Sequence, residues 1–354
     1  MSHALVAWRR LAKSRRAVFG LVLLGLLALT GIFAEVIASP APILAVGPHG
    51  IAILPGVVHA SAYAARSRAE IELLHRDDAA LWPLVRYGPN TRSMPEAMPE
   101  AMPEAMPEAI PEAMPEAIPE AAPRATVACD HLLGTDAEGR DLLARLVYGA
   151  RTALGLSLGA VLLGMLLGVA LGGLAGYERG FWNDRLVRLV ETVDTFPTII
   201  VVALVRAIER QPSALSLVVA VALVRWAEVA RLVRAEVVRA SAEDYVIAAQ
   251  ALGATPRRIF LRHALPSAIG PAIVSSVFGV ASVVLLEAAI SFLGMGAESH
   301  VASWGETLAE GARDPERLRL LVCPGALLAA TVGGTYLIAA ALRDATDPRL
   351  AGQR

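Results

Sequence analysis

The sequence predicts an all-α polytopic membrane protein with six transmembrane helices and one long, partly disordered extracytoplasmic loop. Three observations predict it. Apolar residues make up 55% of the 354-residue chain and charged residues 18%, against about 45–50% and about 25% in an ordinary soluble domain. The apolar excess falls in separate runs, each close to the roughly 20 residues that a helix needs to cross a bilayer. Arginines gather in alternate inter-run segments, the mark of cytoplasmic loops.

The first run is residues 17–38. Two readings of this start compete. A basic opening, an apolar stretch and small residues describe a cleaved signal peptide, and Ser14-Arg15-Arg16 hints at a twin-arginine signal. The run is nevertheless long enough to span, and the later topology closes with it retained, so a membrane anchor is expected. Residues 152–176 form the second span and carry Gly155, Gly159, Gly164, Gly168, Gly172 and Gly176. Several of these stand at G-x-x-x-G spacing, which lets helix backbones approach closely, either in general bundle packing or at a defined dimer contact. Residues 189–209 and 213–230 are a weaker pair that holds Glu191, Asp194, Arg206, Arg225 and Glu228; residues 267–293 and 321–342 complete the six.

Six spans put both termini on one side. Arg9, Arg10, Lys13, Arg15 and Arg16 precede the first span, and Arg179, Arg185 and Arg188 follow the second. Arg231, Arg234, Arg239, Arg257, Arg258 and Arg262 follow the fourth, and Arg343, Arg349 and Arg354 follow the sixth. That side is therefore expected to be cytoplasmic. Ionisable residues inside spans are costly and often functional. Glu287 lies in the fifth span, where it would line a pathway or hydrogen-bond within the bundle. Asp194, just before Phe196-Pro197, would sit at a kink.

About 110 residues separate the first two spans. A four-residue Met/Ile-Pro-Glu-Ala repeat runs from Met94 to Ala121, with Glu96, Glu100, Glu104, Glu108, Glu112, Glu116 and Glu120 in step. Proline at every fourth position removes donors and crowds preceding turns, and the glutamates repel, so an extended solvated spacer is expected. It reads as a tolerated repeat expansion or as a docking arm for an extracytoplasmic partner. Residues 39–93 are poorly patterned, with short strand or helix expected around Ile51–Leu54 and Ile71–Leu84.

Several chemistries are excluded or unsupported. Lys13 is the one lysine and it follows Ala12, so no G-x-x-x-x-G-K phosphate loop exists. If ATP drives this protein, another chain hydrolyses it. Two cysteines, Cys129 and Cys323, make no disulfide framework, and seven histidines show no H-E-x-x-H spacing. No metal site, cofactor site or catalytic constellation stands out.

The segment between the fourth and fifth spans is the most informative. It runs from Asp244 and Tyr245 through Ala248, Ala249, Gly253 and Ala254, then Thr255-Pro256-Arg257-Arg258, to His263, Leu265 and Pro266. Two short helices joined at Gly253 are expected, because glycine takes the left-handed conformation that ends a helix. Thr255 would cap the next helix with Pro256 in its first position, and Pro266 would open the fifth span. Val246, Ala249 and Gly253 fall on one face by their spacing. That face suits either the groove of another protein or an interfacial helix with snorkelling arginines.

Here the sequence resembles the permease subunits of ABC importers, whose signature reads E-A-A, three residues, G, nine residues, I-x-L-P. Ala248, Ala249, Gly253, Leu265 and Pro266 match at that spacing. Ile247 stands where the signature has Glu, and His263 where it has Ile, the latter similar to the peptide-transporter branch. The likeness to the C-type permease of dipeptide and oligopeptide importers extends over Trp8–Ala38, His131–Asp136, Gly139–Asp141, Tyr148–Arg151, Ala230–Arg234, Ser291–Gly294, Ser303–Gly305 and Arg343–Leu350, with residues 40–125 outside it.

The resemblance implies a type I ABC importer permease in the inner membrane, with both termini cytoplasmic. Its parts would be an N-terminus and first span at 1–38, an extracytoplasmic loop at 39–128 with the repeat at 94–122, and a transmembrane domain at 129–354 whose coupling loop spans about 240–266. Implied partners are a second homologous permease subunit, two cytoplasmic ATPases that seat the coupling loops, an extracytoplasmic solute-binding protein and membrane lipid, with no nucleic acid. A secondary transporter or channel is the alternative. It would leave the signature loop unexplained, and no internal repeat of spans supports it. A membrane-embedded hydrolase lacks a nucleophile and base.

Overall fold

The structure is a computed structural model that describes residues 14–47, 50–58, 63, 68–76, 78–92, 131–177, 181–297 and 301–346. The Pro-Glu-Ala repeat, Cys129, and the basic residues ahead of Ser14 and after Thr346 lie outside the described residues, as does Arg179. The chain divides into two compact units, Ala34–Arg145 and a second that joins the residues up to Phe33 with those from Leu146 onward. In chain order the helices and strands are α1 Arg15–Ile32, α2 Ala34–Ile37, β1 Leu44–Gly47, β2 Gly50–Ile53, α3 Pro55–Val58, α4 Arg68–Leu74, β3 Ala79–Leu81 and α5 Leu142–Tyr177. They continue with α6 Phe181–Thr195, α7 Thr198–Ile208, α8 Ala214–Ser241, α9 Asp244–Ala251, α10 Pro256–Ile259, α11 Leu265–Phe292, α12 Trp304–Arg313 and α13 Arg319–Thr346.

The Ala34–Arg145 unit adds a small sheet to an otherwise helical chain. Its strand order is β2-β1-β3, all antiparallel, with Leu44 opposite both Ile53 and Leu81. Ile71 is fully buried against Ala41, Tyr63 and Trp82. The His131–Asp141 stretch builds a pair of turns. Asp136 accepts from the backbone N–H groups of Glu138 and Arg140 at 2.9 Å and from Arg140 Nε at 2.7 Å. Asp141 stands immediately before α5 and accepts from Ala144 N at 2.7 Å, which satisfies one of the free donors of a helix start.

In the other unit, α1, α5, the run from Pro256 through Phe292, and α13 are long and apolar enough to cross a membrane, and α7 is a shorter apolar helix. Large apolar side chains such as Phe19, Leu26, Leu166 and Val322 stay exposed on these helices, as lipid-facing positions do. Lipid gives no hydrophobic drive between helices, so small residues and close packing hold the bundle. The seam between α5 and α8 illustrates this. A Cβ on Gly168 would stand 2.6 Å from Val229 Cβ, and one on Gly172 would strike the backbone of Ala230. Gly164, Gly168, Gly172 and Gly176 therefore pack inside the chain, while a Cβ on Gly155 would meet nothing within 4 Å.

The continuous third span expected over 189–209 is broken. Helix α6 stops at Thr195 and α7 begins at Thr198, with Pro197 between them in extended geometry. Proline has no N–H to donate and its ring crowds the carbonyl four residues back, which ends the helix where a hydropathy reading saw one run. Ser213 then opens α8 with a reciprocal capping box to Ser216.

Candidate functional site

Helix α9 ends in two backbone bonds that follow from its glycine. Gly253 N donates to Gln250 O at 3.0 Å and Ala254 N to Ala249 O at 3.1 Å, while Gly253 adopts φ +81°. This is the Schellman arrangement, and it needs a residue that tolerates a left-handed backbone. The chain then turns into α10, with Pro256 in its first turn and Thr255 before it in extended geometry. The cap expected of Thr255 is backbone only, because its side chain makes no capping bond.

Pro266 does not separate α10 from the fifth span. Residues Phe260–Ala264 form a π-helical turn, closed by Leu265 N to Phe260 O, and the helix continues into α11. The widened turn lies directly before a proline that lacks a donor and crowds the carbonyl of Arg262. Leu265 and Phe260 pack against Gly173 of α5. Phe260 and Leu265 also pack against a cluster that buries Ala264 with Val233 and Val237 of α8. Tyr177, the last residue of α5, donates its hydroxyl to Pro256 O at 2.6 Å and tilts over Phe260 at 5.0 Å. One limb of the elbow is thus fixed in the bundle.

The other limb is braced more lightly. Tyr245 and His263 face each other at 6.2 Å between ring centroids. Tyr245, Ala248, Gly253, Arg257 and Pro266 are exposed, and Ala249, Ala254, His263 and Leu265 are partly buried. Val246 departs from the expected docking face. It is only 3% exposed, because helical spacing tells which residues share a face and not which way that face points. The residue at the tip is one that the sequence pattern left aside: Leu252 is 89% exposed, and Ile247 and Leu261 are about half exposed. Exposed apolar side chains of this size grouped at one turn make it a candidate interaction surface. The signal available in the sequence was an apolar residue directly ahead of the turn glycine.

A second polar constellation lies at the far end of α11. Glu287 is 3% exposed. Its Oε1 accepts from Ser291 Oγ and from Ser303 Oγ, both at 2.8 Å, while its Oε2 has no hydrogen-bond partner among the described residues. Ser303 is also the N-cap of α12, accepting from Gly305 N at 3.1 Å. Glu287 lines a cavity of about 730 Å³ with Thr152, Ser213, Gly296, Ser303 and Glu306 among its walls. Two of those walls are tied by Arg206, which is buried. It donates to Glu209 Oε2 at 2.8 Å, Ser216 Oγ at 2.9 Å and Ser213 O at 3.2 Å on one side. On the other it reaches the carbonyls of Met295, Gly296 and Ala297. Asp194 is elsewhere: it pairs with Arg231 across α6 and α8, while Arg225 pairs with Glu228 at 2.7 Å.

Comparison with known proteins gives a consistent result. Residues 168–352 match the family described as binding-protein-dependent transport system inner membrane component. Residues 5–49 match the N-terminal TM domain of oligopeptide transport permease C. The dipeptide transport system permease protein DppC of Alkalihalophilus pseudofirmus is 35% identical over 225 residues, 63% of this chain and 73% of that protein. The oligopeptide transport system permease protein OppC of Bacillus subtilis is 31% identical over 226 residues, covering 62% and 72%. Its namesake in Escherichia coli is 35% identical over 220 residues, again 62% and 72%.

Proposed function

The chain belongs to the family of binding-protein-dependent transport system inner membrane components, the permease subunits of ABC importers, and on that premise we propose that it forms, with a second homologous permease, the pathway of a dipeptide or oligopeptide importer. In this reading both termini are cytoplasmic, an extracytoplasmic binding protein delivers the peptide, and two cytoplasmic ATPases each receive an elbow in a surface groove. The relatives named for dipeptide and oligopeptide transport support the peptide class. The absence of a phosphate loop from the sequence fits separate ATPase subunits.

The observation that carries the coupling role is the elbow itself. Residues 256–264 are locked to α5 and α8 by Tyr177 and by burial, while Leu252 at the tip is 89% exposed. A contact that transmits force needs one end fixed and the other presented, and needs no reacting groups. Tyr245, Ala248, Ala249, Gly253, Ala254, Arg257, His263, Leu265 and Pro266 make up this element. Closure of the ATPases on ATP would move it, and with it α11, whose first residue follows the π-turn directly.

The test is purification of the tagged chain in mild detergent with mass spectrometry of what copurifies, in wild type and in Gly253→Val. A β-branched residue at φ +81° is strained by about 1–3 kcal/mol. The variant is expected to insert in the membrane and to let ATP hydrolysis run without uptake. A P-loop ATPase and a second permease copurifying with the wild type support the assembly. Normal uptake by Gly253→Val overturns the coupling role.

A further inference from the structure

We infer that the cavity around Glu287 is a subsite for the ammonium group at the amino terminus of the transported peptide, with Glu287 Oε2 as its acceptor. The inference rests on the peptide-permease reading above and deepens it.

The argument starts from a carboxylate with unequal oxygens. Oε1 takes two hydroxyl donors, Ser291 and Ser303, and Oε2 takes none among the described residues although Glu287 is only 3% exposed. Buried polar atoms are nearly always hydrogen-bonded, and one that is not calls for an explanation. A packing role alone would be served by Oε1, which already ties α11 to the cap of α12. An ionisable group inside a span is itself costly unless it is used.

The cavity's composition selects the ligand's charge. Among the described residues its lining includes the two carboxylates Glu287 and Glu306 and no lysine, arginine or histidine. Arg206, which ties two of its walls, is committed to Glu209, Ser216 and four backbone carbonyls, so its charge is spent on holding the walls and not on the interior. A primary ammonium offers three donors, and a carboxylate oxygen without a partner receives one of them as a short, charge-assisted bond. The neighbouring Ser213 and Thr152 supply further polar lining. The volume of about 730 Å³ lies within the range of small-molecule sites. The cavity is at the end of α11 opposite the elbow, and so at the end where the binding protein would release the peptide.

The experiment uses the whole importer reconstituted in liposomes at saturating binding protein. Uptake of one dipeptide is compared with uptake of its N-acetylated form, in wild type, Glu287→Gln and Glu287→Asp. Glutamine keeps an acceptor for both serines and the side-chain volume but carries no charge. The expected result is a fall of about ten-fold in uptake of the free-amine peptide by Glu287→Gln, the worth of one charge-assisted hydrogen bond. Uptake of the acetylated peptide should be unchanged, and Glu287→Asp should recover part of the loss. Should the wild type carry only the free-amine peptide, the reading is its KM: a ten-fold rise in Glu287→Gln supports the subsite and an unchanged KM overturns it. Equal losses for both peptides make Glu287 a packing residue and overturn the subsite while leaving the permease reading intact, as does no loss for either. Failure of the assembled wild type to carry any peptide overturns the peptide reading, and the subsite with it.

Discussion

The elbow at 244–264 and the cavity around Glu287 stand at opposite ends of α11, and they are held by different physics. The elbow is fastened by packing: Phe260 and Leu265 against Gly173, Ala264 among the valines of α8, and a single hydroxyl bond from Tyr177 to Pro256 O. The cavity is fastened by a dense polar network in which Arg206 ties the 209–216 turn to the 295–297 segment. An element meant to shift as a body is well served by apolar contacts, which have no directional partner to lose. A site meant to receive a solute of fixed charge needs donors and acceptors that stay where they are. On the proposed reading, the difference sets a shifting element and a receiving site at the two ends of one helix.

The contrast is sharpest for Arg206→Ala. The substitution removes the charged donor from Glu209 and Ser216, which keep Ser216 Oγ and Ser213 N as their donors, and takes the guanidinium away from several backbone carbonyls, in a site where Arg206 is only 4% exposed. Breaking one side of a buried charged network costs about 3–5 kcal/mol. The purified chain in detergent is expected to unfold well below the wild-type temperature, and Arg206→Lys to recover little, because an ammonium lacks the planar fork. A loss under about 1 kcal/mol would mean the cavity walls stand without the network, and the comparison would collapse.

At the elbow the matching deletion should cost far less. Tyr177→Phe removes the bond to Pro256 O and keeps the ring tilted against Phe260. About 0.5–1.5 kcal/mol is expected, read as faster hydrogen exchange at residues 256–264 with the global unfolding midpoint almost unchanged. An effect as large as that of Arg206→Ala would show that the elbow, too, is held by polar contacts.

The two ends were not equally legible in the sequence. The elbow is contiguous, and its turn follows from local backbone rules: a glycine for the left-handed position and a proline in the first turn of the next helix. The four long apolar helices were readable from run length, since each falls on an expected span. The break at Pro197 was marked only as a kink, since hydropathy averages across a single residue. The role of Arg206 was not legible, because half of its acceptors are backbone carbonyls about 90 residues away in sequence, and carbonyls leave no trace in side-chain pattern. Glu287 was visible as an ionisable residue in a span, but its uncommitted oxygen depends on which hydroxyls the fold delivers. Val246 shows the limit from the other direction: its face was read correctly and its orientation was not.

The smallest effect on the chain alone is expected at the elbow tip, and it separates presentation from packing. Leu252 is 89% exposed and holds nothing inside the protein. Leu252→Ser should therefore change the unfolding midpoint of the isolated chain by no more than about 0.5 kcal/mol, as surface substitutions do. It should even favour the isolated chain slightly, by removing apolar surface from water. If the tip seats in an ATPase groove, the same substitution strips the contact of its one large apolar side chain at the apex, and burying a leucine is worth about 1.5–3 kcal/mol. The measurement is paired: thermal unfolding of the chain, and the amount of ATPase that copurifies with it. Unaltered stability with at least several-fold less ATPase identifies Leu252 as the presented end of the elbow. Unaltered stability with undiminished ATPase would move the docking contact to Ile247 or Leu261, on the flanks of the same turn.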